Sequence, residues 1–122
     1  MSTINYTISA VNDPSRGTSW SVVWETLTSA NAVGQALQMP AWSDRSVQFV
    51  GTFDSATVVL QGSNDGTNWV TLTDPQGNII SKTSAALEAV SEVTRYVRPS
   101  TSGGSGSQDI DVHLLITGYR NW

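Results

Sequence analysis

Asp109, Asp111 and His113 stand at two-residue intervals in the stretch DIDVHLL, and side chains two apart on a β-strand project to the same side. A carboxylate beside an imidazole suggests a non-haem iron or cupin-type metal site. Such a site needs a second imidazole, and His113 is the one histidine of the chain. The alternate positions are Ile110, Val112, Leu114 and Ile116, so the stretch reads equally as a strand with one apolar and one solvated face. Serine is abundant, yet there is no G-x-S-x-G elbow and no motif tying His113 to a serine. Glu25, Glu88, Glu92 and the aspartates could pair for glycoside cleavage, but nothing in the sequence marks a cleft around any two of them. The expectation is therefore a non-enzymatic protein with no catalytic residue, no metal and no cofactor.

Binding chemistry is the next candidate. Trp20, Trp24, Trp42, Trp69 and Trp122 offer indole faces that complement pyranose rings, although large aromatics also dominate small β-cores and interfaces. Trp20 and Trp24 share the parity of Val22 and belong to a core or an interface. Trp42, in MPAWSD, and the terminal Trp122 are the candidates for exposed anchors against a partner. The segment GSNDGTNW, residues 62 to 69, lies between the strand-like ATVVLQ and WVTL, where the chain must reverse. Asp65–Gly66 is a strong turn signal, because glycine takes positive φ without a Cβ clash, and Asn64 and Asn68 can bond the local backbone. A phosphate cradle would need glycines leading into a helix, and a calcium loop would need alternating carboxylates where Asp65 stands alone. The segment is thus expected to be a turn, with Asn64 and Asp65 kept as candidate partner-contact residues.

The elements that must position these residues alternate with period two. Trp20, Val22 and Trp24 share one parity, as do Val47, Phe49, Gly51 and Phe53, and Ile110 to Ile116. Further strands are expected over 56–62, 68–73, 78–81 and 94–99, with weaker ones over 6–11 and 35–39. Only TSAALEAVSE, residues 83 to 92, has helical composition and is expected to form one short helical crossover. The Gly/Ser tract over 100–108 is expected to be a flexible loop. Eight or nine short strands separated by turn residues predict an all-β fold: a single-domain β-sandwich of jelly-roll type over residues 1–122, with 1–17 available as an extended N-terminal arm. Ile110, Val112, Leu114, Val58, Leu60, Phe49 and Trp24 should fill its core.

Composition narrows the partners. A chain of 122 residues with 39% apolar and 13% charged residues suits one globular domain whose surface is largely Ser, Thr, Asn and Gln. A net charge of −4, with six Lys and Arg and no basic run, argues against nucleic acid. No apolar stretch approaches the roughly 18 residues of a membrane span, and MSTINYTISA lacks a signal-peptide pattern, so no membrane partner and synthesis in a cytoplasm are expected. The absence of cysteine removes disulfides and thiolate chemistry.

Two resemblances add to this. VVLQGSNDGTNWVTLTD is similar to the S-N-D-G-x-x-W hairpin of discoidin-type (coagulation-factor C-terminal) domains, and TRYVRP resembles their late A-R-Y-x-R strand. These domains are jelly rolls that bind lipids or glycans through loops at one end. The longer block from VGTFDSATVVLQGSNDGTNWVTLTDPQGN through LEAV to RYVRPSTSGGSGSQDIDVHLL resembles small tailed-phage virion proteins of the capsid decoration, or cement, type. That resemblance implies a structural protein on the capsid surface, partnered by the major capsid protein and by copies of itself as a dimer or trimer. The alternative is a glycan- or lipid-binding module of tail, receptor-binding or discoidin-like kind, with surface glycans as ligands.

Overall fold

The computed structural model describes residues 3–13, 17–38 and 44–117. Twelve strands carry the described chain: β1 (Thr3–Ile4), β2 (Tyr6–Asp13), β3 (Gly17–Leu27), β4 (Val33–Gly34), β5 (Leu37–Gln38), β6 (Asp44–Thr52), β7 (Ala56–Ser63), β8 (Val70–Thr71), β9 (Ser81–Lys82), β10 (Ala86–Ala89), β11 (Tyr96–Gly103) and β12 (Asp109–Thr117). They form two sheets. One has the order β10-β6-β12-β3-β2; the other has β1-β4-β11-β7-β8, with β5 also paired to β11 and β9 to β7. All pairings are antiparallel except that of β1 with β4. The fold is all-β, and the apolar faces of the two sheets meet in one core.

Alternation decides which face is buried. Val22 and Trp24, Val47 and Phe49, Val58 and Leu60, and Ile110, Val112, Leu114 and Ile116 are all buried, and every residue expected in the core lies there. Such side chains contribute about 1.5–3 kcal/mol each on burial. Trp24 joins the sheets. Its Nε1 donates to the Gln35 carbonyl at 2.9 Å, and a Cβ on Gly34 would stand 2.6 Å from both Trp24 Cδ1 and Pro99 Cδ. Glycine at 34 is what lets the indole lie against the opposite sheet. Tyr6 meets the same indole edge-on, with 6.0 Å between ring centroids.

Parity is not conserved along β3. Ile110 pairs with Leu27 but Val112 pairs with Trp24, so the register shifts between them, and Thr26 there has φ of +64°. The extra residue in β3 is a bulge that returns Leu27 to the core face, where it is fully buried.

Two expectations are corrected. The segment over 83–92 contains no helix: Ala86–Ala89 is strand β10, paired with Ser46–Phe49 of β6. Ten residues of helical composition cannot hold a helix alone, and the open edge of β6 satisfies the same backbone groups. The Gly/Ser tract is not a free loop. Ser100–Gly103 continue β11, and Asp54 Oδ2 accepts from Ser105 N at 3.2 Å, Ser105 Oγ at 2.6 Å and Ser107 N at 2.8 Å. Of the stretch 1–17 read as an available arm, Thr3–Ile4 and Tyr6–Asp13 are paired within the domain as β1 and β2.

Candidate functional site

Residues 64–69 link β7 to β8. Asp65 Oδ1 accepts from the Thr67 and Asn68 amides at 2.8 Å each and from Ser63 Oγ at 2.8 Å, while Oδ2 accepts from Asn68 Nδ2 at 2.7 Å. The Asn68 and Thr67 amides, then the Asn68 and Ser63 side chains, hold this exposed carboxyl far below the usual carboxylate range. Ser63 Oγ in turn accepts from the Gly66 amide at 2.9 Å, and Gly66 has the positive φ, +78°, expected of it. Asp65 therefore builds the turn. Asn64 does not bond its local backbone as expected; its Oδ1 accepts from Arg95 N at 3.0 Å and ties the loop to the entry of β11.

Trp69, at the end of this loop, and Tyr96, beside it, each have an arginine at the ring. Arg98 lies over the Trp69 ring, 4.1 Å from the guanidinium carbon to the ring centroid, and its Nε donates to Gln61 Oε1 at 2.9 Å. Arg95 lies 5.3 Å from the Tyr96 centroid. Partial desolvation lowers the Arg98 pKa. One face of Trp69 is thus covered by a cation of its own chain and closed to a stacking sugar ring. Trp20 is half-buried, Trp24 is core, and Trp42 and Trp122 lie outside the described residues.

On β12, Asp111 Oδ1 accepts from Thr26 N at 2.9 Å and so braces the bulge in β3. His113 pairs with Gln48 and Val23 on the outward side of its sheet. Among the described residues no group of three or more His, Cys, Asp or Glu is placed to hold a metal ion.

The segment from β8 to just past β10 carries a signal that composition hid. Six large apolar side chains are exposed among the described residues, and four of them fall here: Val70, Ile79, Leu87 and Val93, each about 60% exposed or more. They sit on a braced frame. Thr73 N and Thr73 Oγ1 both donate to the Glu92 carboxylate, Asp74 Oδ1 accepts from the Gln76 and Asn78 amides at 3.0 Å each, and Lys82 Nζ stands 2.7 Å from Glu88 Oε2. Partial burial pushes the Glu92 pKa up, but the Thr73 bonds and the Arg45 charge more than offset this and leave it lowered. Arg45 itself is buried, and its Nε, Nη1 and Nη2 have no hydrogen-bond partner. Desolvation lowers its pKa by more than the Glu92 carboxylate raises it. Nothing in the sequence around Arg45 distinguishes it from a surface arginine except its parity with Val47 and Phe49.

Comparison with known protein families finds no match, and none of the curated proteins matches. Among solved structures, the chain is similar to the K1 cleaved adhesin domain of Lys-gingipain from Porphyromonas gingivalis W83, at 14% identity and a TM-score of 0.45, over 96% of this chain and 85% of that one.

Proposed function

We propose that this chain is a non-enzymatic virion structural protein that decorates and stabilises the capsid of a tailed phage as a symmetric oligomer, made in the host cytoplasm and placed on the capsid surface. The observation that carries it is the run of exposed apolar side chains, Val70, Ile79, Leu87 and Val93, along one hydrogen-bonded segment that passes from the margin of one sheet to the margin of the other. Exposed apolar side chains on a hydrogen-bonded segment are suited to protein contacts, since little conformational freedom is lost on docking and apolar area leaves water. The resemblance of residues 50–116 to decoration proteins points the same way. Treating the β4/β5 and β8/β9 pairs as single strands, the orders β3-β12-β6-β10 and β4/β5-β11-β7-β8/β9 support a jelly-roll reading of the two sheets, with β1 and β2 added outside it. The glycan-binding alternative has less support, because Asp65 and Asn64 are engaged in the turn and Arg98 covers Trp69.

Attachment to the assembled shell but not to its separated subunits stabilises the shell by mass action, about 2.7 kcal/mol per site at a free concentration 100-fold above Kd. The test depletes particles of the protein, adds back wild type or Leu87→Lys/Ile79→Lys, and measures genome release on heating. Wild type should delay release and the variant should not. Equal protection by both would remove the β8–β10 edge as the contact, and no protection by either would defeat the decoration role.

A further inference from the structure

Strand β2 closes the five-stranded sheet on the side opposite β10, and it differs from every other edge among the described residues. It runs for eight residues, Tyr6–Asp13, in unbroken register with β3, whereas β1, β8 and β9 have two residues each and β10 has four. Edges in soluble proteins are normally kept short, or are blocked by lysine, proline or a bulge. The β10 edge follows that rule, with Glu88 ion-paired to Lys82. The β2 edge does not: YTISAVND holds no lysine and no proline, and its single charge is the last residue, Asp13. In an antiparallel pair every second residue turns its N–H and C=O away from the partner strand; the Tyr6 amide donates to Gln35 Oε1 at 3.4 Å, and beyond it β2 presents a row of outward donors and acceptors that another extended strand can match.

From this edge we infer that the chain associates with a second copy of itself, β2 against β2 in antiparallel register, to give one sheet of ten strands. The hydrogen-bond row of a strand edge is complementary to itself under a two-fold axis, so the pairing is isologous and closes at two copies. Among the described residues β2 is also the one long edge that could serve as the second strand. No like charges oppose one another over Tyr6–Asn12, although the chain as a whole carries −4. The side chains agree with the backbone. Ile8 pairs with Val22 and Ala10 with Trp20, so both lie on the apolar face of the sheet, yet Ile8 is 42% exposed and Ala10 is exposed. A two-fold axis through the strand carries that face across both copies and covers Ile8. This deepens the oligomer in the proposed function but uses a surface separate from the β8–β10 edge, which is left free on both outer sides of the dimer.

The experiment measures molecular mass by sedimentation equilibrium over a range of concentrations, with no capsid present, for wild type, Ile8→Lys and Ala10→Lys. Hydrogen exchange of wild type is read at the two ends of that range. The expected result is a dimer whose Kd rises at least about tenfold in each variant, because a lysine on the paired edge places a strongly hydrated charge against the apolar side chains of the second copy and brings two like charges near one axis. The β2 amides should be protected at high concentration and exchange at low concentration, with β10 unaffected. A monomer at all concentrations, a trimer, or a dimer with unprotected β2 amides would each overturn the pairing. Hydrogen exchange on wild type decides the matter even if a lysine variant fails to fold. A monomeric chain that still delays genome release would overturn this pairing while leaving the decoration role standing.

Discussion

Replacing Arg45 by methionine is expected to stabilise the protein. The Arg45 side chain is 5% exposed, its three guanidinium nitrogens have no acceptor, and its backbone carbonyl accepts from Val90 N at 3.1 Å regardless of side chain. Methionine keeps the backbone bond and most of the apolar stem while removing the buried charge. Each unsatisfied buried donor group costs about 1–3 kcal/mol. Opposing this is the lost attraction to Glu92, whose carboxylate remains anchored by two Thr73 bonds and is not left as a buried orphan. The net gain is expected to be about 1–2 kcal/mol, at the low end of what replacing a whole buried ion pair yields, because Glu92 keeps its charge. For a chain of this size that corresponds to an upward Tm shift of about 3–6 °C per kcal/mol. The assay is urea unfolding followed by tryptophan fluorescence, with calorimetry for Tm, on wild type, Arg45→Met, Glu92→Gln and the double variant. A loss of more than about 1 kcal/mol in Arg45→Met, together with a coupling to Glu92 of the same size, would show that the ion pair outweighs desolvation and refute the reasoning.

Two further outcomes follow from single residues. Gly51 has φ of +121°, and a Cβ there would stand 2.3 Å from the Asp109 carbonyl oxygen. Gly51→Ala should therefore cost about 2–4 kcal/mol in urea unfolding, whereas Gly77→Ala, at φ of +88° with nothing within 4 Å, should cost about 1 kcal/mol. For Asp65 the folded pKa lies below the unfolded one, so its stabilisation is present above about pH 3.9 and is lost as pH falls from there through the folded value. Urea midpoints measured between about pH 5 and pH 2 should fall less steeply in Asp65→Asn than in wild type, and parallel curves would show that the loop bonds do not couple to folding.

Much of the fold was legible because a half-buried strand writes its own parity. Val58 and Leu60, or Ile110, Val112 and Leu114, must face one way once the chain is extended, and that local fact identified the core without any knowledge of neighbours. The turn at Asp65–Gly66 was legible for the same reason: carboxylate, amides and positive φ all lie within six residues. What the sequence could not determine depends on partners distant along the chain. Residues 86–89 have helical composition, and only the vacant edge of β6 makes them a strand. Asn64 finds Arg95, thirty-one residues on, and Asp111 finds the Thr26 amide, eighty-five residues away. The burial of Arg45, the exposure of Val70, Ile79, Leu87 and Val93, and the edge position of β2 among the described residues are likewise properties of packing and strand order. Local preferences fix which way each side chain faces, but whether that face meets another sheet, a charge or water is decided only when the strands have been ordered.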